Sequence, residues 1–144
     1  MMLIDANLLL YAYDSASEQH AAARDWLAAS FSKPEPVGLA WVTILAFLRI
    51  TTNPRMRFQP FTSAEAVAVV QEWLERPNIA ILTPTERHWP ILKELIRKAQ
   101  VRGALMMDAY LAALAIEHGA VLFTNDRDFS RFPGLKWVNP LEAS

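Results

Sequence analysis

Cysteine is missing from this chain altogether. That excludes disulfides, thiolate metal sites and cysteine nucleophiles, and it fits a cytoplasmic protein. Glycine is scarce, at four residues in 144. None of the four makes a Gly-x-Ser-x-Gly, a Gly-x-Gly-x-x-Gly or a P-loop, so the common glycine-dependent hydrolase, dinucleotide and nucleotide signatures are absent. The three histidines, His20, His88 and His118, are scattered with no i,i+4 pair, and read as helix-surface residues rather than ligands. No apolar run approaches the roughly 18 residues that a membrane span needs. Asp5 comes almost at once, with no basic leader before it, unlike a secretion signal. There is no basic excess either: the net charge is −1. A dedicated nucleic-acid binder is often strongly basic, so any nucleic acid would be met by a local patch.

What the chain does have is core material, with 53% apolar residues, enough for one domain spanning 1–144. Leu3-Ile4-Asp5 reads as a short buried strand. Ser15-Ala16-Ser17-Glu18 has capping-box spacing and would open a helix with Ala22, Trp26 and Leu27 on one side. After the loop at Lys33-Pro34-Glu35-Pro36, residues 37–50 are almost continuously apolar, as a short strand and then a buried helix, stopped by Asn53-Pro54. Thr62-Ser63-Ala64-Glu65 is a second capping box, with Val67, Val70 and Leu74 along one face. Ile79-Ala80-Ile81-Leu82 has strand length. Thr85 would cap a helix presenting Trp89, Leu92, Leu95 and Ile96. Residues 108–118 form an alanine-rich helix ended by Gly119. Val121-Leu122-Phe123-Thr124 is a further strand, and Trp137-Val138 a last one. Strands alternating with helices predict an α/β fold, a three-layer α/β/α sandwich around a mostly parallel sheet.

Four aspartates stand where apolar runs stop. Asp5 follows Met2-Leu3-Ile4, Asp108 follows Leu105-Met106-Met107, and Asp126 and Asp128 follow Val121-Leu122-Phe123-Thr124-Asn125. A carboxylate at the edge of a core is costly unless something compensates it. In parallel sheets ligands bind outside the carboxyl ends of the strands, where Asp5 and Asp126 fall. Asp108 falls in the first turn of a helix, where the dipole favours its charge. A divalent metal is one shared compensation. Oxygen-only ligands suit Mg²⁺ or Mn²⁺ rather than Zn²⁺, and such a site can activate water against a phosphodiester. Taken singly, each aspartate is equally a helix cap or turn residue, Asp128 in Asp126-Arg127-Asp128 most plainly.

One basic stretch, residues 49–57, carries Arg49, Arg55 and Arg57 and no acid. It reads either as a phosphate-binding edge for RNA or as a solvated helix end complementing the dipole. Among the five tryptophans, which read as core or interface, Trp41 is the one to follow.

These residues resemble the PIN-domain family, and in particular VapC-type toxin ribonucleases of bacterial toxin–antitoxin pairs. The likeness runs from Leu3-Ile4-Asp5-Ala6-Asn7, through Phe47-Leu48-Arg49-Ile50-Thr51-Thr52-Asn53-Pro54-Arg55 and Asp108-Ala109-Tyr110-Leu111-Ala112-Ala113-Leu114-Ala115, to Thr124-Asn125-Asp126-Arg127-Asp128-Phe129. The resemblance implies Mg²⁺- or Mn²⁺-dependent cleavage of RNA, commonly tRNA or rRNA. It also implies a homodimer and a cognate antitoxin that blocks the site. Asp5, Asp108 and Asp126 match the family's metal-site acids and Asp128 a supporting acid. Asn7 and Thr124 stand beside them, able to hydrogen-bond a ligand carboxylate or a metal-bound water. RNA would lie across Arg49, Arg55 and Arg57, with Arg127 or Arg131. The near-neutral charge suits a protein held by a partner, on the apolar helical face around Trp41, Leu45 and Leu48.

One position departs from the family pattern. Ala46 stands where most members carry glutamate, and Thr43, Ala46, Arg49 and Asn53 form a polar stripe expected to face the metal cleft. The gap leaves open one metal or two. It also keeps two alternatives in play: a non-cleaving PIN-like module that binds RNA or protein, and a DNA-directed PIN nuclease.

Overall fold

The computed structural model describes residues 1–57 and 59–142; residues 58, 143 and 144 of the expected 1–144 domain lie outside the described residues. Five short strands form one sheet: β1 (Met2–Ile4), β2 (Val37–Leu39), β3 (Ile79–Ile81), β4 (Val121–Phe123) and β5 (Trp137–Val138). Their order is β3-β2-β1-β4-β5 and every pairing is parallel, so β1 is central. The helices are α1 (Ala6–Ala12), α2 (His20–Phe31), α3 (Trp41–Thr51), α4 (Ser63–Glu75), α5 (His88–Lys98) and α6 (Leu105–Glu117). Among the described residues no helix is long and apolar enough to cross a membrane.

Side-chain alternation along the strands splits the core in two. Leu3 and Leu122 pack with Leu95, Leu111 and Leu114 of α5 and α6. Met2, Ile4, Val37 and Leu39 point the other way, onto Leu8, Leu27, Phe47 and Trp73 of α1 to α4. The result is the expected α/β/α sandwich. Gly38 is required on β2: a Cβ there would stand 2.7 Å from Leu82 Cδ1 and 3.1 Å from the Met2 carbonyl oxygen. Gly119 ends α6 at φ +64°, a left-handed cap that favours glycine.

Several local expectations need correcting. A helix begins at Ala6, directly after β1, with Asp5 as its N-cap. The capping box at Ser15 does not form. Residues 14–19 make tight turns instead, with Asp14 Oδ1 accepting from Ala16 N–H and Ser17 Oγ from Gln19 N–H, and α2 starts only at His20. The Thr62 box forms in full. The buried face of α4 is Ala66, Val70 and Trp73, however, and Val67 is exposed. α5 starts at His88 without a side-chain cap: Thr85 Oγ1 accepts from Arg87 N–H one turn earlier, and Trp89 is exposed. α6 starts at Leu105, ahead of the expected 108.

Candidate functional site

The chain turns from β3 back across the sheet to β4 on the far side of β1, so the strand order reverses between β1 and β4. Side chains leaving the carboxyl ends of those two strands meet at this switch point. Asp5 leaves β1 and caps α1, with Oδ1 accepting from Ala6 N–H at 2.7 Å. Its other oxygen accepts from Thr124 Oγ1 at 2.8 Å. Thr124 follows β4, is fully buried, and serves three partners. Its hydroxyl donates to Asp5 and accepts from Asn7 Nδ2 at 3.2 Å and from Asp126 N–H at 3.0 Å. Asp126 in turn caps the short 3-10 helix Arg127–Arg131, with Oδ1 accepting from Asp128 N–H at 2.9 Å. Three of the four aspartates are thus joined through the Thr124 hydroxyl and the backbone of their own loop.

Asp108 reaches the site from α6. Together with Asp5 it lines a cleft of about 520 Å³ whose other wall is α3, through Val42, Thr43, Ala46 and Arg49. The electrostatics record the crowding. Burial, then the charges of Asp5, Asp126 and Asp128, push the Asp108 carboxyl up to about 6, with Arg131 pulling the other way. Burial also raises Asp5, against the hydrogen bonds from Thr124 and Ala6 and with the charge of Asp126. Asp126 and Asp128 act on this cleft by charge without forming its lining. Among the described residues no three acids or histidines stand at the spacing of a finished metal cage. The donor set still fits a hard divalent cation: Asp5 and Asp108 share the cleft, the nearby donors are oxygens, and no histidine lines it.

The α3 wall carries the sequence's departure. Ala46 faces the cleft between Thr43 and Arg49, as the polar stripe implied, while Asn53 lies past the helix end. Thr43 is 2% exposed and its hydroxyl has no hydrogen-bond partner among the described residues. Sequence reasoning saw it only as one member of a stripe. Leu45 and Met107 form exposed apolar lips of the cleft, with Trp41 exposed one turn before Leu45; Leu48 instead packs against the α1–α4 core.

The three arginines separate. Arg49 lines the cleft. Arg55 is exposed in the turn after α3. Arg57 is tied away from the acids: its guanidinium donates to the Tyr13 carbonyl and stacks on the Phe61 ring, 4.2 Å from the centroid. The three arginines read from the sequence as RNA-binding thus stand in three different surroundings. Arg131 stays near the acids, its Nε donating to the Asp128 carbonyl at 3.1 Å, whereas Arg127 pairs with Glu142 at 2.6 Å.

The histidines are not surface bystanders. His88 pairs with the buried Glu117 at the far end of α6, where Thr85 N–H also donates to Glu117 at 2.5 Å. Burial works to raise Glu117, but these hydrogen bonds outweigh it and hold its carboxyl below the usual range. His118 Nε2 bonds the Thr83 carbonyl at 2.7 Å, so the pair fixes the loop before α5 rather than the cleft. His20 Nδ1 meets the Tyr11 carbonyl at 2.9 Å.

Residues 2–135 match the model of the PIN domain. Ribonuclease VapC37 of Mycobacterium tuberculosis is 39% identical over 140 residues, 97% of this chain and 97% of that protein. Ribonuclease VapC33 of the same species is 39% identical over 141 residues, 98% of this chain and 99% of that one. The fold is similar to the VapBC-1 structure from nontypeable Haemophilus influenzae, with a TM-score of 0.70 at 16% identity, covering 98% of each chain. It is also similar to FitAcB from Neisseria gonorrhoeae, with a TM-score of 0.69 at 19% identity, covering 99% of this chain and 100% of that one. The chain belongs to the PIN-domain family, with ribonucleases named VapC as its full-length relatives.

Proposed function

We propose that this protein is a metal-dependent endoribonuclease, the toxin of a toxin–antitoxin pair, acting on RNA of the tRNA or rRNA class. One observation carries the reading: Asp5 and Asp108 meet in one cleft at the switch point, Asp126 is joined to Asp5 through the Thr124 hydroxyl, and burial followed by the charges of Asp5, Asp126 and Asp128 raises the Asp108 carboxyl. Full-length relatives named as ribonucleases support it. Asp5, Asp108 and Asp126 would hold Mg²⁺ or Mn²⁺, with Asp128 supporting. When bound, the cation supplies the positive charge that lets these carboxylates ionise together and that polarises a phosphodiester and a water. Thr124 holds Asp5 Oδ2, and Asn7 holds Thr124, so the acid presents one face to the cleft. Arg49, on the opposite wall, takes a substrate phosphate oxygen. The apolar lips Leu45 and Met107, with Trp41 beside them, suit a partner that covers the cleft. A cognate antitoxin and assembly as a homodimer complete the proposal; similar folds occur in VapBC-1 from nontypeable Haemophilus influenzae and in a toxin–antitoxin complex from Klebsiella pneumoniae.

Ala46 favours a second reading, a PIN-like module that binds RNA or protein without cutting it, because the α3 wall offers no carboxylate. One experiment separates the readings. The purified protein is incubated with RNA, single-stranded DNA and flap DNA, with Mn²⁺ and with chelator. Mn²⁺-dependent cutting of RNA alone supports the ribonuclease. Binding of RNA without cutting would support the module, and cutting of the DNA substrates would make it a DNA-directed nuclease.

A further inference from the structure

Asn139 follows β5 directly and takes no part in the chemistry above. Its Oδ1 accepts from Leu141 N–H at 3.1 Å, and its Nδ2 donates to Asn125 Oδ1 at 2.9 Å. Asn125 lies between Thr124 and Asp126. Its backbone N–H donates to Asn7 Oδ1 at 3.3 Å and its Nδ2 donates to the Tyr11 hydroxyl at 3.3 Å. The direction of every bond is fixed from one end. A backbone N–H can only donate, so Asn139 must turn its oxygen to Leu141 and its nitrogen to Asn125. Asn125 must then present its oxygen, leaving its nitrogen for Tyr11. Asn125 is thereby held from two sides, by α1 and by the turn after β5. A second tie joins the same segments, Arg127 with Glu142 at 2.6 Å.

The loop so held delivers both Asp126 and the Thr124 hydroxyl that bonds Asp5. Its placement matters to the acids, because after burial the charge of Asp126 also raises the carboxyls of Asp5 and Asp108. We propose that Asn139 is a positioning residue of the acidic site: the turn after β5 clamps Asn125, and through it sets the loop that carries Thr124 and Asp126. The effect on RNA cleavage rests on the function proposed above; the clamp itself does not.

The test compares Asn139→Leu, which removes the amide, with Asn139→Asp. The carboxylate can still accept from Leu141 N–H and from Asn125, if Asn125 turns its amide and the Tyr11 hydroxyl donates to the freed oxygen. Asn125→Ala removes the same contact from the other side, should the leucine variant not fold. Amide hydrogen exchange is followed at Asn125 and Asp126, alongside the strands, the melting temperature and RNA cleavage with Mn²⁺. In Asn139→Leu those two amides should exchange about ten-fold faster, with the β1 and β4 amides unchanged. kcat should fall about ten-fold with KM held. Asn139→Asp should keep wild-type exchange. Unchanged exchange at Asn125 and Asp126, or uniformly faster exchange across the sheet, would overturn the clamp, as would an aspartate variant no better than leucine. A wild-type protein that cuts no RNA would overturn the functional reading and leave the exchange result to decide the clamp.

Discussion

In metal-free buffer, removing the charge of Asp108 should stabilise the protein rather than weaken it. The carboxyl stands at about 6 against an ordinary 3.8, and about two pH units at 1.36 kcal/mol each is roughly 3 kcal/mol of unfavourable charging. The group is only half-buried, so solvent screening cuts this to about 1.5 kcal/mol. Asparagine also gives up the attraction of a charged acid in the first turn of α6, about 0.5 kcal/mol. A net gain of about 1 kcal/mol remains, or about 2–4 °C in Tm for a domain of this size. The sign with pH follows from linkage. An acid whose folded pKa is raised contributes stability that is complete below its unfolded value and lost as pH rises through the folded one. The wild-type protein therefore carries the penalty above about pH 6. The advantage of Asp108→Asn should be full at pH 7.5 and shrink to about a third at pH 4.5. Thermal melts of both proteins in chelator at the two pH values measure it. Saturating Mn²⁺ should reverse the order, because the wild type keeps a ligand that the variant has lost. An Asp108→Asn protein that melts below wild type in chelator at pH 7.5, or by a pH-independent margin, would refute the crowding of charge.

Ala46→Glu puts a carboxylate on the α3 wall of the cleft and should raise Mn²⁺ affinity about ten-fold by titration calorimetry, since affinity for hard cations follows ligand charge count. Unchanged affinity in a folded variant would mean that the added acid does not reach the ion. The arginines should divide as the geometry divides them: Arg49→Ala should lower the slope of log binding constant against log salt for single-stranded RNA by about 0.7. Arg57→Ala should leave that slope alone and lower stability by about 1 kcal/mol, through loss of its contacts with the Tyr13 carbonyl and the Phe61 ring.

Much of this was legible in the sequence, for definite reasons. Short apolar runs such as Met2-Leu3-Ile4 and Val37-Gly38-Leu39 mark strands of a parallel sheet, because both faces of β1 and β2 are buried. The Thr62–Glu65 box and Gly119 are local signals that need no tertiary context, and both hold. The helix after Asp5 was not legible: Leu8, Leu9 and Leu10 run together and hide any period, and only β1 pairing fixes where the strand stops. Faces were misread at Val67 and Trp89, where apolar residues repeat at helical spacing but Trp73 and Leu95 supply the burial. In the site, the aspartates were visible as chain-edge acids, and Thr124 and Asn7 as their neighbours. Asn125, Asn139 and Glu117 were not, since each acts through a partner at least 14 residues away. The one available signal was an asparagine two residues after β4 and another directly after β5. The separate surroundings of Arg49 and Arg57 were not legible either, because arginines close in sequence leave the end of a helix in different directions.

The most direct measurement is single-turnover cleavage of one RNA by wild type and Asp5→Asn, followed from no Mn²⁺ to saturation. Asp5 joins the cleft, α1 and the Thr124 hydroxyl, so it bears on every part of the site. A cation-binding acid cluster at the switch point requires wild-type cleavage that rises with Mn²⁺, stops with chelator, and falls at least 100-fold in Asp5→Asn at equal Mn²⁺. Cleavage that persists in chelator, or that Asp5→Asn performs at the wild-type rate, would contradict it.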